Sequence, residues 1–133
     1  MKNEKADVAR AGVRRPPRDI LQRTFEFAVR IVRLSGTLDE RPGVGRVMMS
    51  QILRAGTSIP SNVEEAQAAQ SKADFINKMS IALKEARETH LRLRLLEVAE
   101  VVSASRLGAL TKEAEEIKRI LGAIIVSTRR GGD

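Results

Sequence analysis

The chain has 133 residues, the length of one domain, with 42% hydrophobic residues, 2% aromatic residues, no cysteine and a formal net charge of +7. The missing cysteine excludes a disulfide framework and a thiolate metal site, and no apolar run approaches the roughly 20 residues that span a bilayer. The core must be aliphatic, and the start Met1-Lys2-Asn3-Glu4-Lys5-Ala6-Asp7 lacks the apolar segment of a secretory signal, so a cytoplasmic protein is expected.

Residues 1–17 carry no sustained apolar periodicity and close on Pro16-Pro17. They read as a basic, disordered arm, or as a short helix around Asp7 to Ala11 that Gly12 ends. Residues 1–18 hold six basic residues against two acids, a net +4, while the other 115 hold 18 against 15, a net +3. Basic arms of this kind are solvated tails or nucleic-acid contacts.

The bundle is expected over residues 18–128. Helix one should run from Arg18 to Leu34, with Leu21, Phe25, Ala28, Val29 and Val32 as its apolar stripe and Ser35-Gly36 as its end. Thr37 to Gly45, with Pro42, is a loop. Helix two starts near Val44 to Arg46 on a stripe of Val47, Met48, Gln51, Ile52, Ala55, Ile59, Val63 and Ala66. Pro60 interrupts it at a cost of about 3 kcal/mol in a helix interior. The helix either bends or breaks there; the unbroken phase of the stripe favours a bend. Thr57 and Ser58 are candidates to occupy freed backbone groups.

Ser71 should cap helix three, with Asp74 three residues on as in a capping box. That helix spans about 72–101, with a seam of Phe75, Met79, Ala82, Ala86, Thr89, Leu93 and Leu96. Ser103-Ala104-Ser105 is the next break. Helix four covers about Arg106 to Thr128 through Leu110, Ala114, Ile117, Leu121, Ile124 and Ile125, and residues 129–133 form a tail. No strand pattern occurs. The fold expected is all-α, an antiparallel up-down-up-down four-helix bundle bent at Pro60. Ile76, Ile81, Leu83, Leu91, Leu95, Ile120 and Val126 lie outside the main seams. Stripes that wide point to self-association.

Arg54, Ser58, Asn62 and Glu65 stack on one face of helix two at i, i+4, i+8, i+11. They form either a ligand-binding row or a buried polar seam. Helix three favours the seam, because Lys78, Glu85, Glu88 and Arg92 share a face and complement it. Arg54 against Glu85 or Glu88 satisfies both charges, Asn62 can bridge backbone left open by Pro60, and breaking such a buried pair costs about 3–5 kcal/mol. Di-iron bundles use Glu-x-x-His pairs, but the only histidine, His90, follows Glu88 by two residues. It reads as a surface or interface residue, and no metal or cofactor is expected. Neither a nucleophile motif nor a phosphate loop is present, so no enzyme is expected. The nucleic-acid candidates are Arg10, Arg14, Arg15 and Arg18 of the arm and Arg30, Arg33, Arg87, Arg92 and Arg94 of the helices. Their contacts would be to phosphates, because no Tyr or Trp can stack on bases.

The stretches from Phe27 to Leu34, Gln51 to Ala66 and Phe75 to Thr89 resemble the "four helix bundle protein" family, also called large-subunit (23S) rRNA intervening-sequence proteins. The Arg-x-x-x-Ser-Ile-Pro-x-Asn-x-x-Glu pattern from Arg54 to Glu65 is the most specific part. The resemblance spans roughly residues 20–128. It implies an antiparallel bundle assembled as a ring, most often a pentamer, with no attached enzymatic activity. It also implies a distant similarity to the accessory variability determinant proteins of diversity-generating retroelements, basic pentameric barrels that assist a reverse transcriptase and contact nucleic acid. One departure is His90-Leu91-Arg92-Leu93, where many relatives carry aromatic residues. The expected function is an oligomeric accessory or scaffold protein that binds RNA or DNA. The alternative is a self-assembling scaffold for a protein partner such as a reverse transcriptase.

Overall fold

The computed structural model describes residues 18–38 and 43–131. The expected arm, with Arg10, Arg14 and Arg15, the side chain of Arg18 and the last two residues lie outside the described residues. Four helices follow in order: α1 (Arg18–Leu38), α2 (Val44–Gln67), α3 (Lys72–Val98) and α4 (Ala104–Arg130). Each consecutive pair packs together, and α4 closes back on α1 with the thinnest contact. Short connections make neighbours antiparallel, so α1 and α3 stand at opposite corners of a four-helix bundle, as do α2 and α4. Among the described residues no strand occurs, and no helix is long and apolar enough to cross a membrane.

The α3 seam is buried throughout: Phe75, Met79, Ala82, Ala86, Thr89, Leu93 and Leu96. Its start is capped as the sequence predicts, with the Asp74 N–H donating to Ser71 Oγ at 3.0 Å. The return bond differs from a full capping box, since the Asp74 carboxylate accepts from the Gln70 N–H at 3.3 Å.

On α1 the stripe is rotated from its expected position. Phe25 and Val32 are 58% and 51% exposed, and the core line is Ile20, Thr24, Phe27, Ala28, Ile31 and Leu34. Helix α1 carries two adjacent apolar lines, and periodicity alone cannot rank them. The choice is made by α2, where buried Gly56 lets Ile31 seat against the backbone. Thr24 tolerates burial because its Oγ1 donates to the Ile20 carbonyl at 2.8 Å.

Helix α2 runs unbroken through Pro60, which is itself buried. Ile52, Ala55, Ile59, Val63 and Ala66 keep one face inward on both sides of it, so breaking the helix would forfeit that burial. In the first turns the expected stripe fails: Val47 is 60% exposed, Gln51 is exposed, and Met49 takes the core position. The backbone acceptor that Pro60 frees is the Gly56 carbonyl. The polar side chains nearby bond elsewhere, contrary to expectation. Thr57 Oγ1 donates to the Leu53 carbonyl at 2.7 Å, and Asn62 Nδ2 donates to the Ser58 carbonyl at 2.9 Å.

Four helix ends also shift. Helix α1 continues past Ser35-Gly36 to Leu38, where Thr37 Oγ1 donates to the Leu34 carbonyl and accepts from Arg106 Nη2 at 2.7 Å. Helix α4 starts at Ala104 and continues through Arg129 and Arg130, so those residues are not tail. Helix α3 stops at Val98, ahead of Val101, in a Schellman arrangement. The Val101 N–H reaches the Leu96 carbonyl at 3.0 Å and the Glu100 N–H reaches that of Glu97 at 3.1 Å. Glu100 sits at φ 60°, the left-handed position that glycine normally fills. Glu100→Gly is therefore expected to stabilise the fold by about 1 kcal/mol, read as a higher urea midpoint with an unchanged slope.

Candidate nucleic-acid interface

The α2–α3 seam forms, but at the surface. Arg54 Nη1 lies 3.7 Å from Glu85 Oε2 and Nη2 lies 3.8 Å from Glu88 Oε2, with the Arg54 side chain 62% exposed. Arg92 Nη1 reaches Glu88 at 3.5 Å. Asn62 Nδ2 also donates to Ser58 Oγ at 3.1 Å, while Glu65 is exposed and makes no ion pair among the described residues. Burial and the neighbouring Glu88 carboxyl push the Glu85 carboxyl up from its ordinary range, against the pull of Arg54 and Ser58. Glu88 is held down, chiefly by its hydrogen bond with Glu85 and then by Arg92. An exposed guanidinium pairing with such carboxylates contributes at most about 1 kcal/mol, so the seam is no buried network at its Arg54 end. Arg54→Ala is expected to lower the melting temperature by only about 2–4 °C at neutral pH. Because Arg54 favours the ionised carboxylates, that difference should shrink as pH falls through their range.

The helix arginines do not converge. Arg30 and Arg33 are exposed on α1, and Arg87 and Arg94 on α3 at the opposite corner. None of these four has a carboxylate partner among the described residues. Arg92 is different, being tied to Glu88 on the side of α3 that faces α2. Arg23, on the other flank of α1, is held by Glu113 of α4 through two bonds of 3.0 and 2.7 Å.

The α3–α4 side holds a cluster that the sequence reading missed. His90, expected at the surface or at an interface, is only 7% exposed, between α3 and α4. Lys118 Nζ lies 3.2 Å from His90 Nδ1, and His90 Nε2 lies 3.5 Å from Glu115 Oε1. Glu115 also faces Lys118 at 3.6 Å and Arg119 at 3.7 Å. An ammonium group can only donate, so Nδ1 accepts and the ring proton sits on Nε2, toward Glu115. Burial, then Lys118, hold the His90 pKa below its ordinary value, with Arg94 adding to them and Glu115 opposing. The folded state thus binds the proton more weakly than the unfolded chain, and stability falls as pH drops through and below the usual histidine range. Melting temperature should decline between about pH 7.5 and pH 5.5, and His90→Gln should flatten that decline. The i+3 and i+4 spacing of Lys118 and Arg119 from Glu115 was legible in the sequence; the approach of His90 from another helix was not. Among the described residues no group of His, Cys, Asp or Glu side chains could hold a metal ion.

Comparison with known proteins agrees with this architecture. A crystal structure of a protein of unknown function from the S23 ribosomal protein family of Bacteroides thetaiotaomicron is 44% identical, with a TM-score of 0.73, over 80% of this chain and 97% of that one. No functionally curated protein matches. Residues 18–123, essentially the whole helical unit, match the family described as 23S rRNA-intervening sequence protein, and the chain belongs to that family.

Proposed function

We propose that this protein is an accessory or scaffold protein that binds nucleic acid through phosphate contacts. The observation that carries the reading is the charge left over after folding. Arg23, Arg54 and Arg92 are taken up by Glu113, Glu85 and Glu88, whereas Arg30, Arg33, Arg87 and Arg94 project outward without a carboxylate partner among the described residues. Unpaired surface guanidinium groups on a chain of net charge +7 attract polyanions over several ångströms. Contacts of this kind read phosphate and not base, so binding should be insensitive to sequence and steeply dependent on salt.

The test is a gel shift with the full-length protein and with a version starting at Asp19, across a salt series. Binding by both at about 50 mM salt, lost by about 300 mM, supports the reading. Binding by the full-length protein alone would place the contact in residues 1–18. No shift by either protein at low salt would overturn it.

A second reading, a self-assembling scaffold for a protein partner such as a reverse transcriptase, is supported by exposed apolar side chains. Leu91, Leu95 and Val98 follow i, i+4, i+7 on α3 at 48%, 51% and 83% exposure, and Phe25 and Val32 line the outer side of α1. Such lines favour burial against another chain, and in this reading the protein is a homo-oligomer, with a pentameric ring as the form proposed. Light scattering on the wild type and on Leu91→Glu/Leu95→Glu decides between a ring that the charges break and a monomer unaffected by them.

A further inference from the structure

We propose that the α3–α4 face holds the phosphate backbone of nucleic acid through Arg87, Arg94, Lys118, Arg119 and Arg130, and that the His90–Glu115–Lys118 cluster makes this binding tighten as pH falls. The proposal rests on the nucleic-acid reading above and adds its location and its control.

The location follows from spacing and contact. Arg87 and Arg94 stand three residues before and four after His90, on the same side of α3. His90 in turn touches Lys118 on α4 at 3.2 Å, which brings the cations of the two helices onto one face. The outer surface of α4 is a shallow depression lined by Lys118, Arg119 and Arg130 around Gly122 and Ala123. Small side chains between the cations let a phosphate chain approach the helix closely. The carboxylate set among these cations is Glu115, and it is shared by Lys118, Arg119 and His90.

That sharing provides the control. With His90 neutral, Glu115 cancels part of the charge of Lys118 and Arg119, and Lys118 is held inward on Nδ1. Protonation puts a hydrogen on Nδ1, so Lys118 now faces a cation at hydrogen-bond distance and is driven outward. The Nε2–Glu115 contact becomes a full ion pair and loosens the hold of Glu115 on Arg119. The charged groups facing the ring are Lys118 and Glu115 from α4 and Arg94 from α3, with Arg119 acting through Glu115. The face therefore gains free cations on protonation. By reciprocity a bound polyanion favours the protonated ring, which offsets the penalty of charging a buried histidine. His90 is the only histidine of the chain, so no other side chain of ordinary pKa titrates in the same window.

The experiment is fluorescence anisotropy with a short labelled oligothymidine, whose bases do not titrate between about pH 6 and pH 8, the histidine range. Wild type should bind about threefold tighter at the lower pH in roughly 100 mM salt, the size of one added phosphate contact. His90→Gln should keep one affinity at both pH values. Glu115→Gln, a near-isosteric change at a half-buried position outside the apolar core, should bind at the higher pH as tightly as wild type does at the lower one. Arg87→Gln/Arg94→Gln/Arg119→Gln should lose most binding and Arg30→Gln/Arg33→Gln little. Binding that persists without a pH response, or a pH response that survives in both cluster variants, overturns the control and leaves the nucleic-acid reading standing. The opposite ranking of the two arginine sets overturns the location. Absence of binding by wild type at any pH and low salt removes the nucleic-acid reading itself.

Discussion

Converting Arg30, Arg33, Arg87 and Arg94 together to Gln is expected to weaken nucleic-acid binding by about 10- to 100-fold near 100 mM salt while leaving the melting temperature within about 2 °C. The two halves of that expectation have one cause. These guanidinium groups are exposed and hold no carboxylate among the described residues, so the fold does not depend on them. A ligand that neutralises them releases counterions, and each lost phosphate contact lowers the salt slope by about one. The slope, log K against log salt, should therefore fall by about two to three. An unchanged slope with intact binding would show that these four residues make no phosphate contact. A collapse of the melting temperature would show instead that they serve the fold.

Gly56→Val is expected to destabilise the α1–α2 contact by overpacking. A Cβ placed on Gly56 comes within 3.3 Å of Ile31 Cγ1 and 3.4 Å of its Cγ2, and Ile31 is fully buried. Alanine asks Ile31 to give only a few tenths of an ångström. It also recovers about 1 kcal/mol of helix propensity, so Gly56→Ala should be close to neutral. Valine adds two branched carbons in the same place, and overpacking of this kind costs about 1–3 kcal/mol. For a chain of this size that lowers the melting temperature by about 5–12 °C. Ile31→Ala should restore part of the loss when combined with Gly56→Val, giving a coupling energy of about 1 kcal/mol or more in a double-mutant cycle. Additive effects would mean that the two helices are not spaced by this contact.

Much of the architecture was written in local pattern. The seam of α3 from Phe75 to Leu96, the Ser71 cap and the passage of α2 through Pro60 all follow from side-chain spacing within one helix. The family, too, was legible, because the Arg54 to Glu65 stretch is a specific string. What local pattern could not rank was which of two neighbouring apolar lines on α1 faces inward. Phe25 and Val32 had the expected period, yet Phe27 and Ile31 won, because α2 offers a glycine where Ile31 arrives.

The candidate site divides in the same way. Charge, the number of arginines and the pairing of Arg54 with Glu85 and Glu88 came from the one-dimensional order of residues, since helical periodicity fixes which residues share a face. The burial of that pairing did not come through, because exposure depends on how far two helices splay apart, which no single helix encodes. His90 shows the limit most clearly. Its sequence neighbours Glu88 and Arg92 gave no sign of burial, and its partners Lys118 and Glu115 lie more than twenty residues away on another helix. The sequence by itself determined four amphipathic helices, a surplus of positive charge and the family. Only the packing of α3 against α4 decided that a histidine, a carboxylate and three cations meet on one face, because that meeting depends on the distance between helices and not on the period within one.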